Sequence, residues 1–224
     1  MRARTFAIIL AFALALGLGL DSPSARADEA EDLLRDIHRE LVNINTAPSG
    51  GATTLEAATA MARRLTGAGM PESDVLVIGP TPEKSTLVAR YRGDGTGGRP
   101  ILMMAHLDVV EALPEDWSFD PFAHREEDGY FYGRGSIDNK AGAAVLVSNF
   151  IRLRNEGFEP SRDLIVYLSA DEETDAVSTL WLLEHHPDLL EAEYALNSDA
   201  GYVQMVAGQA TGFMVQAAEK MYGD

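Results

Sequence analysis

The feature that most constrains the fold is an alternation of short apolar runs with helical segments. The runs ILMMA (residues 101–105) and LIVYL (164–168) are apolar on both faces, which is typical of strands buried in a parallel sheet. Residues 139–157 between them predict a helix that ends at a glycine and begins with small residues suited to close packing. The alternation predicts an α/β fold with a largely parallel or mixed sheet flanked by helices.

Polar side chains follow the apolar runs. Four segments are predicted to be strand ends that carry residues suited to metal binding. ILMMAHLD ends in His106 and Asp108, GRGSID in Asp138, IVYLSADEE in Glu172 and Glu173, and YALNSD in Asp199. In open α/β sheets the functional site lies at the carboxyl ends of the strands, so we expect these side chains to converge.

Such a convergence of carboxylates on one histidine needs protonation or cations. Like charges at close range repel, and each raises the pKa of the other in a partly buried site. Histidine with carboxylates and no sulfur suits Zn²⁺, and Mn²⁺ or Co²⁺ are also compatible with this set. Two ions that share a bridging carboxylate use more of the acids than one ion does.

The spacing of these residues suggests separate roles. Residues i and i+2 point to the same side of an extended strand, so Asp108 is expected to accept the second ring N–H of His106. Glu172 and Glu173 point opposite ways if the chain is extended. One of them can then bind metal while the other serves as the general base that amide hydrolysis requires.

Each element also has a simpler interpretation. A His-x-Asp sequence at a strand end is often structural, and a DEE sequence is often a solvated turn. Asp138 could cap the helix that starts at Asn139. His38 lies between charged residues and is interpreted as solvated, and His124 is placed on an exposed hairpin. The joint pattern favours a metal site, because independent surface features need not recur at successive strand ends.

The N-terminal segment has the pattern of a secretory signal peptide. Arg2 and Arg4 precede an apolar run from Phe6 to Leu20, and Ala25-Arg26-Ala27 offers a small-residue cleavage site. The run is shorter than the roughly 20 residues of a spanning helix, although an uncleaved anchor is the alternative. We therefore predict a signal peptide over residues 1–27 and a secreted or periplasmic protein. Its removal would leave a net charge of −19.

Composition excludes several partners. The chain carries a net charge of −17 without a basic stripe, so nucleic acid and anionic membrane surfaces are disfavoured. It contains no cysteine, which excludes disulfides and thiolate metal ligands. The sequence GDGTGG (residues 93–98) leads into a strand instead of opening a helix, so a phosphate-binding loop is not indicated.

Five motifs in this order resemble the di-zinc aminoacylase/carboxypeptidase family, which includes glutamate carboxypeptidase, acetylornithine deacetylase, succinyl-diaminopimelate desuccinylase and dipeptidases. The motifs are MMAHLDVV, WSFDPF, DGYFYGRGSIDNKAG, SADEE and ALNSDAG. The similarity extends from about residue 30 to the end of the chain. It implies a zinc-exopeptidase-like catalytic domain.

The resemblance also implies a role for each site residue. His106 and Asp199 would bind one zinc ion, Glu173 would bind the other, and Asp138 would bridge them. Asp108 would support His106. Glu172 would be the general base for hydrolysis of a peptide or N-acyl amino acid by a metal-activated water.

Two departures from the family pattern shape the expected organisation. TDAVST follows the DEE motif where the family commonly has a glycine-rich turn, and the family pattern continues well beyond residue 224. We therefore expect an incomplete, C-terminally truncated catalytic domain over residues 28–211. Residues 212–224 are expected to begin a lid domain through which the complete protein could form a homodimer. The distal histidine of the second zinc site and the residues that bind the substrate carboxylate would lie outside the chain.

The leading hypothesis is thus an exported zinc peptidase or amidohydrolase. A second hypothesis is a non-catalytic fragment that keeps the fold without a working centre. A third, a two-metal phosphoesterase, uses similar ligands but is disfavoured by the order of the motifs.

Overall fold

The structure is a computed structural model that describes residues 23–49, 51–199 and 202–214. Nearly all of the predicted signal peptide and the last ten residues lie outside this part of the chain, so the expectations for them stay predictions. The first helix begins before the predicted cleavage point at Ala27. The helices are α1 Pro23–Asn43, α2 Thr54–Gly67, α3 Lys140–Asn155, α4 Val177–His185 and α5 Pro187–Leu190.

A mixed five-stranded sheet forms the centre of the fold. In chain order its strands are β1 Val75–Ile78, β2 Thr86–Tyr91, β3 Ile101–His106, β6 Leu164–Ser169 and β7 Tyr194–Asn197. They lie side by side in the order β1-β2-β6-β3-β7. The neighbours of β3, which are β6 and β7, run parallel to it, whereas β1, β2 and β6 pair antiparallel. The predicted α/β class with a largely parallel or mixed sheet is therefore confirmed.

Helices cover both faces of the sheet. Because successive strand residues point to opposite faces, Val166 and Leu168 of β6 meet one layer of helices while Ile165 and Tyr167 meet the other. The first layer consists of α1, α2 and α3, and its buried side chains include Ile37, Leu41, Met61, Leu65, Val147 and Phe150. The second layer is smaller and rests on Leu182 of α4 and Leu190 of α5.

Two hairpins lie outside the main sheet. One joins β4 Arg125–Glu127 to β5 Tyr130–Tyr132 through Asp128 and Gly129, both with positive φ, as the Asp-Gly turn predicts. The other joins β8 Tyr202–Val206 to β9 Gln209–Met214 and was not predicted. The expected domain boundary between residues 211 and 212 falls within β9. Within the described residues, we find no helix with the length and hydropathy needed to span a bilayer.

The topology brings three strand ends to one edge of the sheet. In the parallel registers, His106 of β3 pairs with Ser169 of β6, and Met104 of β3 pairs with Asn197 of β7. The residues that follow Ser169 and Asn197 therefore emerge beside His106. This edge carries the candidate site.

Candidate metal centre

His106 is the buried centre of the site. Its side chain is 2% exposed, and its Nδ1–H donates to the backbone carbonyl of Asp108 at 3.0 Å. This hydrogen bond fixes the ring so that Nε2 faces the open edge of the sheet. The orientation leaves Nε2 available to a ligand.

Carboxylates surround Nε2 of His106. The nearest oxygens of Asp138, Asp199 and Glu172 lie 2.9, 3.6 and 3.9 Å from it. Two sets of potential ligand atoms each lie within 4.8 Å of one another, the first from His106, Asp138 and Glu173, the second from His106, Glu172 and Asp199. The structure thus brings together five of the six residues singled out in the sequence around one point, and it places the sixth, Asp108, directly behind them.

Asp138 reaches the site from a loop, so the expectation that GRGSID ends a strand is wrong. Residues 133–139 form turns between the β4–β5 hairpin and α3. Gly135 has φ +78°, and a Cβ atom there would lie 2.6 Å from Val109 Cγ1, so the loop packs directly against the segment after β3. Helix α3 has no side-chain N-cap bond, and Asp138 contacts His106.

The first turn of α3 brings the Asp138 and Asp199 segments together. A Cβ atom at Gly142 would lie 2.0 Å from Asn139 Oδ1 and 2.4 Å from Ser198 Oγ, so any larger residue there would displace these two side chains. Ser198 is held in turn by its backbone N–H and its hydroxyl, which both donate to Met104 O at 3.0 Å. The small residue that the sequence marked for close packing therefore sits where two proposed ligands approach each other.

Asp108 acts differently from the sequence expectation. Its Oδ1 lies 3.4 Å from His106 Nδ1, farther than the 3.0 Å carbonyl contact, so the carbonyl accepts the ring hydrogen bond. The carboxylate instead accepts the backbone N–H groups of Glu172 at 3.1 Å and Glu173 at 2.9 Å. The i, i+2 argument fails because β3 ends at His106 and Asp108 is no longer extended strand. Asp108 therefore ties the histidine strand to the acidic turn.

The electrostatics of the site favour bound positive charge. Burial disfavours the imidazolium, but the carboxylate and carbonyl of Asp108, together with Asp199, outweigh it and raise the pKa of His106 to about 9. Burial raises the pKa of Glu172, and the charges of Asp199, Asp108 and Asp138 add to this effect. Burial and Asp138 likewise raise the pKa of Glu173. The carboxylates contribute to both shifts because like charges lie close together, and a bound cation would oppose that contribution.

The donor set suits a divalent metal ion. One imidazole nitrogen and several carboxylate oxygens face one another without an intervening Lys or Arg among the contacts of the described residues. Such nitrogen and oxygen ligands fit Zn²⁺. The carboxylates of Asp138 and Glu172 are 60% and 48% exposed, so the site is open to solvent and substrate.

Sequence reasoning missed three polar residues around the site. Asp171 is buried beneath the acidic turn, and Lys84 contacts it from the β1–β2 connection. Lys140 is fully buried, and its Nζ donates to Ile44 O at 2.6 Å. Asp171 could have been identified from the sequence as the first of the three acids in ADEE (residues 170–173), whereas no local pattern indicates the role of either lysine.

The interpretation of two other histidines is wrong. His38 is 5% exposed and His124 is partly buried. His38 Nε2–H donates to Ser136 O at 2.8 Å, and His38 Nδ1 lies 3.2 Å from His124 Nε2. His38 shares a face of α1 with Leu34 and Leu41, a signal that its charged neighbours obscured. Both rings pack against Phe131.

The part of the chain that carries the site matches a known protein family. The family described as "Peptidase family M20/M25/M40" matches residues 102–218, which include all six site residues. Human carnosine dipeptidase 1 has a similar structure, with a TM-score of 0.67 and 22% identity, over 79% of this chain and 40% of that one. This likeness shows the fold.

Two curated relatives match shorter stretches. An N-fatty-acyl-amino acid synthase/hydrolase PM20D1 from Xenopus tropicalis is 40% identical over 74 residues, which are 33% of this chain and 14% of the relative. A Beta-Ala-Xaa dipeptidase from Lactobacillus delbrueckii subsp. lactis is 34% identical over 123 residues, 50% of this chain and 26% of the relative. The chain thus matches about a quarter or less of the length of these two relatives.

Proposed function

Because the chain belongs to peptidase family M20/M25/M40, we propose that it carries the metal-binding catalytic part of a zinc-dependent hydrolase. The reaction proposed is cleavage of the amide bond of a peptide or an N-acyl amino acid. The observation that supports this most strongly is the convergence of His106 with carboxylates from three separate segments.

Four residues would hold the metal ions. His106 and Asp199 would bind one ion, Glu173 the other, and Asp138 would bridge the pair. When bound, zinc supplies a Lewis acid for the substrate carbonyl and lowers the pKa of a coordinated water molecule. Zn²⁺ is proposed over Mn²⁺ or Co²⁺ from the ligand types alone.

Glu172 is proposed as the general base. Its Oε2 lies 3.9 Å from His106 Nε2, so it borders the cluster while remaining about half exposed. Burial raises its pKa, which makes it a stronger proton acceptor than a fully exposed glutamate. Glu172 would take a proton from water and pass it to the nitrogen of the leaving amine.

Asp108 would keep this base in place. Its carboxylate holds the N–H groups of Glu172 and Glu173, so the two side chains leave the backbone at a fixed position beside His106. The Asp108 carbonyl orients the ring of His106 at the same time. One residue therefore links the proposed base to the proposed metal ligands.

The substrate class is proposed from two relatives. One is named for N-fatty-acyl-amino acids and the other for Beta-Ala-Xaa dipeptides. Both names describe an amide bond to the nitrogen of an amino acid. We propose substrates of this kind for the protein.

Substitution of the base tests the proposal. We expect Glu172→Gln to lower kcat about 10²–10⁴-fold, the usual contribution of a general base. Zinc content should be unchanged, and a chelator should abolish the activity of the unsubstituted protein. Glu56→Gln, a change on the exposed first turn of α2, is the control. Metal-independent cleavage, or full activity of Glu172→Gln, would contradict the proposal, as would turnover of phosphate esters alone.

We further propose that the protein is exported and cleaved after Ala27. The support is the Arg2, Arg4 and apolar pattern of the N-terminal segment. N-terminal sequencing of the exported protein should begin at Asp28, and a Leu10→Arg/Leu14→Arg variant should remain uncleaved. Retention of Met1 in a membrane fraction would favour an anchor.

A homodimer, proposed from the resemblance alone, is tested by sedimentation.

A further inference from the structure

The turn that carries Glu172 and Glu173 is closed by its own backbone. It connects β6 to α4 over residues 170–176, and the N–H of Ala176 donates to Asp171 O at 2.9 Å. Ala176 adopts φ 51°, a left-handed conformation that an alanine takes only when the surroundings impose it. The two acidic side chains therefore sit on a tightly constrained segment.

Asp171 fastens the far end of this turn. Its side chain is 4% exposed and accepts the backbone N–H of Ser178 at 2.9 Å as well as the Ser178 hydroxyl. The N-cap residue of α4 makes no side-chain hydrogen bond, so Asp171 satisfies an N–H of the first helical turn from seven residues away. The carboxylate thus fixes the start of α4 relative to the end of β6.

Lys84 supplies the cation that a buried carboxylate requires. Its Nζ lies 3.1 Å from Asp171 Oδ2 and also contacts Asp175. Lys84 ends the short 3₁₀ turn Pro82–Lys84 between β1 and β2, so the contact joins distant parts of the chain. A carboxylate buried without such a partner is costly, and the surrounding structure would shift to relieve that cost.

We infer that Lys84, Asp171 and Ser178 are positioning residues for the acidic turn. They hold its outer side, while Asp108 holds its inner side through the N–H groups of Glu172 and Glu173. The network sets where the Glu173 carboxylate meets the metal and where the Glu172 carboxylate meets water. This inference rests on the proposed function, because both roles belong to it.

Zinc affinity tests the inference without catalysis. We expect Lys84→Met to weaken zinc binding about tenfold by calorimetric titration, and Lys84→Arg to restore it, because small displacements of a supporting group have effects of this size. Arg162→Met is the matched control. It removes a similarly exposed cation that pairs with Glu193 at the opposite end of β6, and it should leave affinity unchanged.

A double-substitution cycle separates positioning from general stability. In a Glu173→Gln background, Lys84→Met should cause no further loss of zinc affinity, since the ligand it positions is gone. In the assay for hydrolysis, Lys84→Met should lower kcat about tenfold with KM unchanged, and this loss should vanish in a Glu172→Gln background.

The outcomes are distinguishable. If Lys84→Met binds zinc as the unsubstituted protein does, or if its loss persists in the Glu173→Gln background, the inference is wrong even when His106→Ala abolishes zinc binding. A lowered melting temperature with unchanged affinity would also overturn it, because the network would then only stabilise the fold. If His106→Ala leaves zinc binding intact, the proposed metal site itself fails.

Discussion

His106 and His38 are both buried, and each donates one ring N–H to a backbone carbonyl, yet the groups around the other ring nitrogen differ. His106 faces the oxygens of Asp138, Asp199 and Glu172. His38 donates to Ser136 O and meets His124 through its other nitrogen. The pKa of His106 is raised to about 9, whereas burial lowers the pKa of His38, and Lys140 adds to that effect.

The difference shows that burial alone does not identify a metal ligand. At the His38–His124 pair, each contact joins a donor to an acceptor, so the pair is satisfied without an added ion. Around His106, by contrast, the carboxylate oxygens outnumber the N–H groups that could donate to them. A proton or a cation must therefore neutralise part of their charge. The same residue type is therefore structural in one region and a candidate ligand in the other.

The largest expected effect contrasts the two histidines directly. We expect His106→Ala to weaken zinc binding about a thousandfold or more, since it removes a proposed ligand and leaves the carboxylates unpaired. His38→Ala should change zinc affinity less than about twofold. Calorimetric titration at one pH measures both. Equal losses in the two variants would break the comparison.

Lys140 interacts electrostatically with both His38 and Asp108, and it should make the free energy of unfolding depend on pH. Burial lowers its pKa to about 7 from 10.5, while Asp108 opposes the shift. The unfolded chain then binds more protons between these values, so the folded state becomes more stable as the pH rises from about 7 to 10.5. We expect the stability of the unsubstituted protein minus that of Lys140→Met to grow by about 3 kcal/mol between pH 7 and 9.5.

Urea unfolding of metal-free protein checks this expectation. His106 works in the opposite sense: its raised pKa gives stability that is full below pH 6.5 and is lost as the pH rises to about 9. Taking the difference between protein and variant cancels this contribution. A difference that stays constant with pH would show that Lys140 is not neutralised by its burial.

Competition between protons and zinc should also distinguish the His106 site from the His38–His124 pair. His106 carries a proton below about pH 9 in the metal-free protein, so zinc must displace it. We expect apparent zinc affinity to rise about tenfold per pH unit from 6 to 8. NMR titration should find His38 still neutral below pH 6.5. A zinc affinity independent of pH would indicate that His106 is not a ligand.

The smallest effect concerns the His38–His124 pair. We expect His38→Phe to cost about 1 kcal/mol at pH 7.5, the net value of the lost hydrogen bonding. Because the pKa of His38 is lowered, folded protein loses stability as the pH falls below 6.5, and the cost of the substitution should shrink there. Unfolding at pH 7.5 and 5.5 tests this, with exposed His185→Phe as control. A cost that grows at low pH would contradict it.

The sequence allowed prediction wherever a pattern is local. β3 and β6 could be located because they are apolar on both faces, and their parallel pairing placed His106 beside the acidic turn. The same strand-end pattern predicts a strand that ends at Asp138, but residues 133–139 after β5 form turns. The role of Asp108 depends on the residue at which β3 ends, and a sequence pattern locates the end of a strand only to within one or two residues.

Long-range contacts were beyond sequence reasoning. Lys84 meets Asp171 only because the β1–β2 connection passes the end of β6, and no local pattern encodes that approach. His38 is buried because the β4–β5 hairpin folds over α1, so a helix position with charged neighbours becomes interior. In both cases the tertiary arrangement overrides what the neighbouring residues suggest.

The central claim is that the carboxyl edge of the sheet binds divalent metal through His106. Crystals grown with zinc and measured at the zinc absorption edge test it most directly. We predict an anomalous peak about 2.1 Å from His106 Nε2, within reach of Asp138 and Asp199. A zinc-containing crystal with no peak there, and peaks only at other histidines, would contradict it.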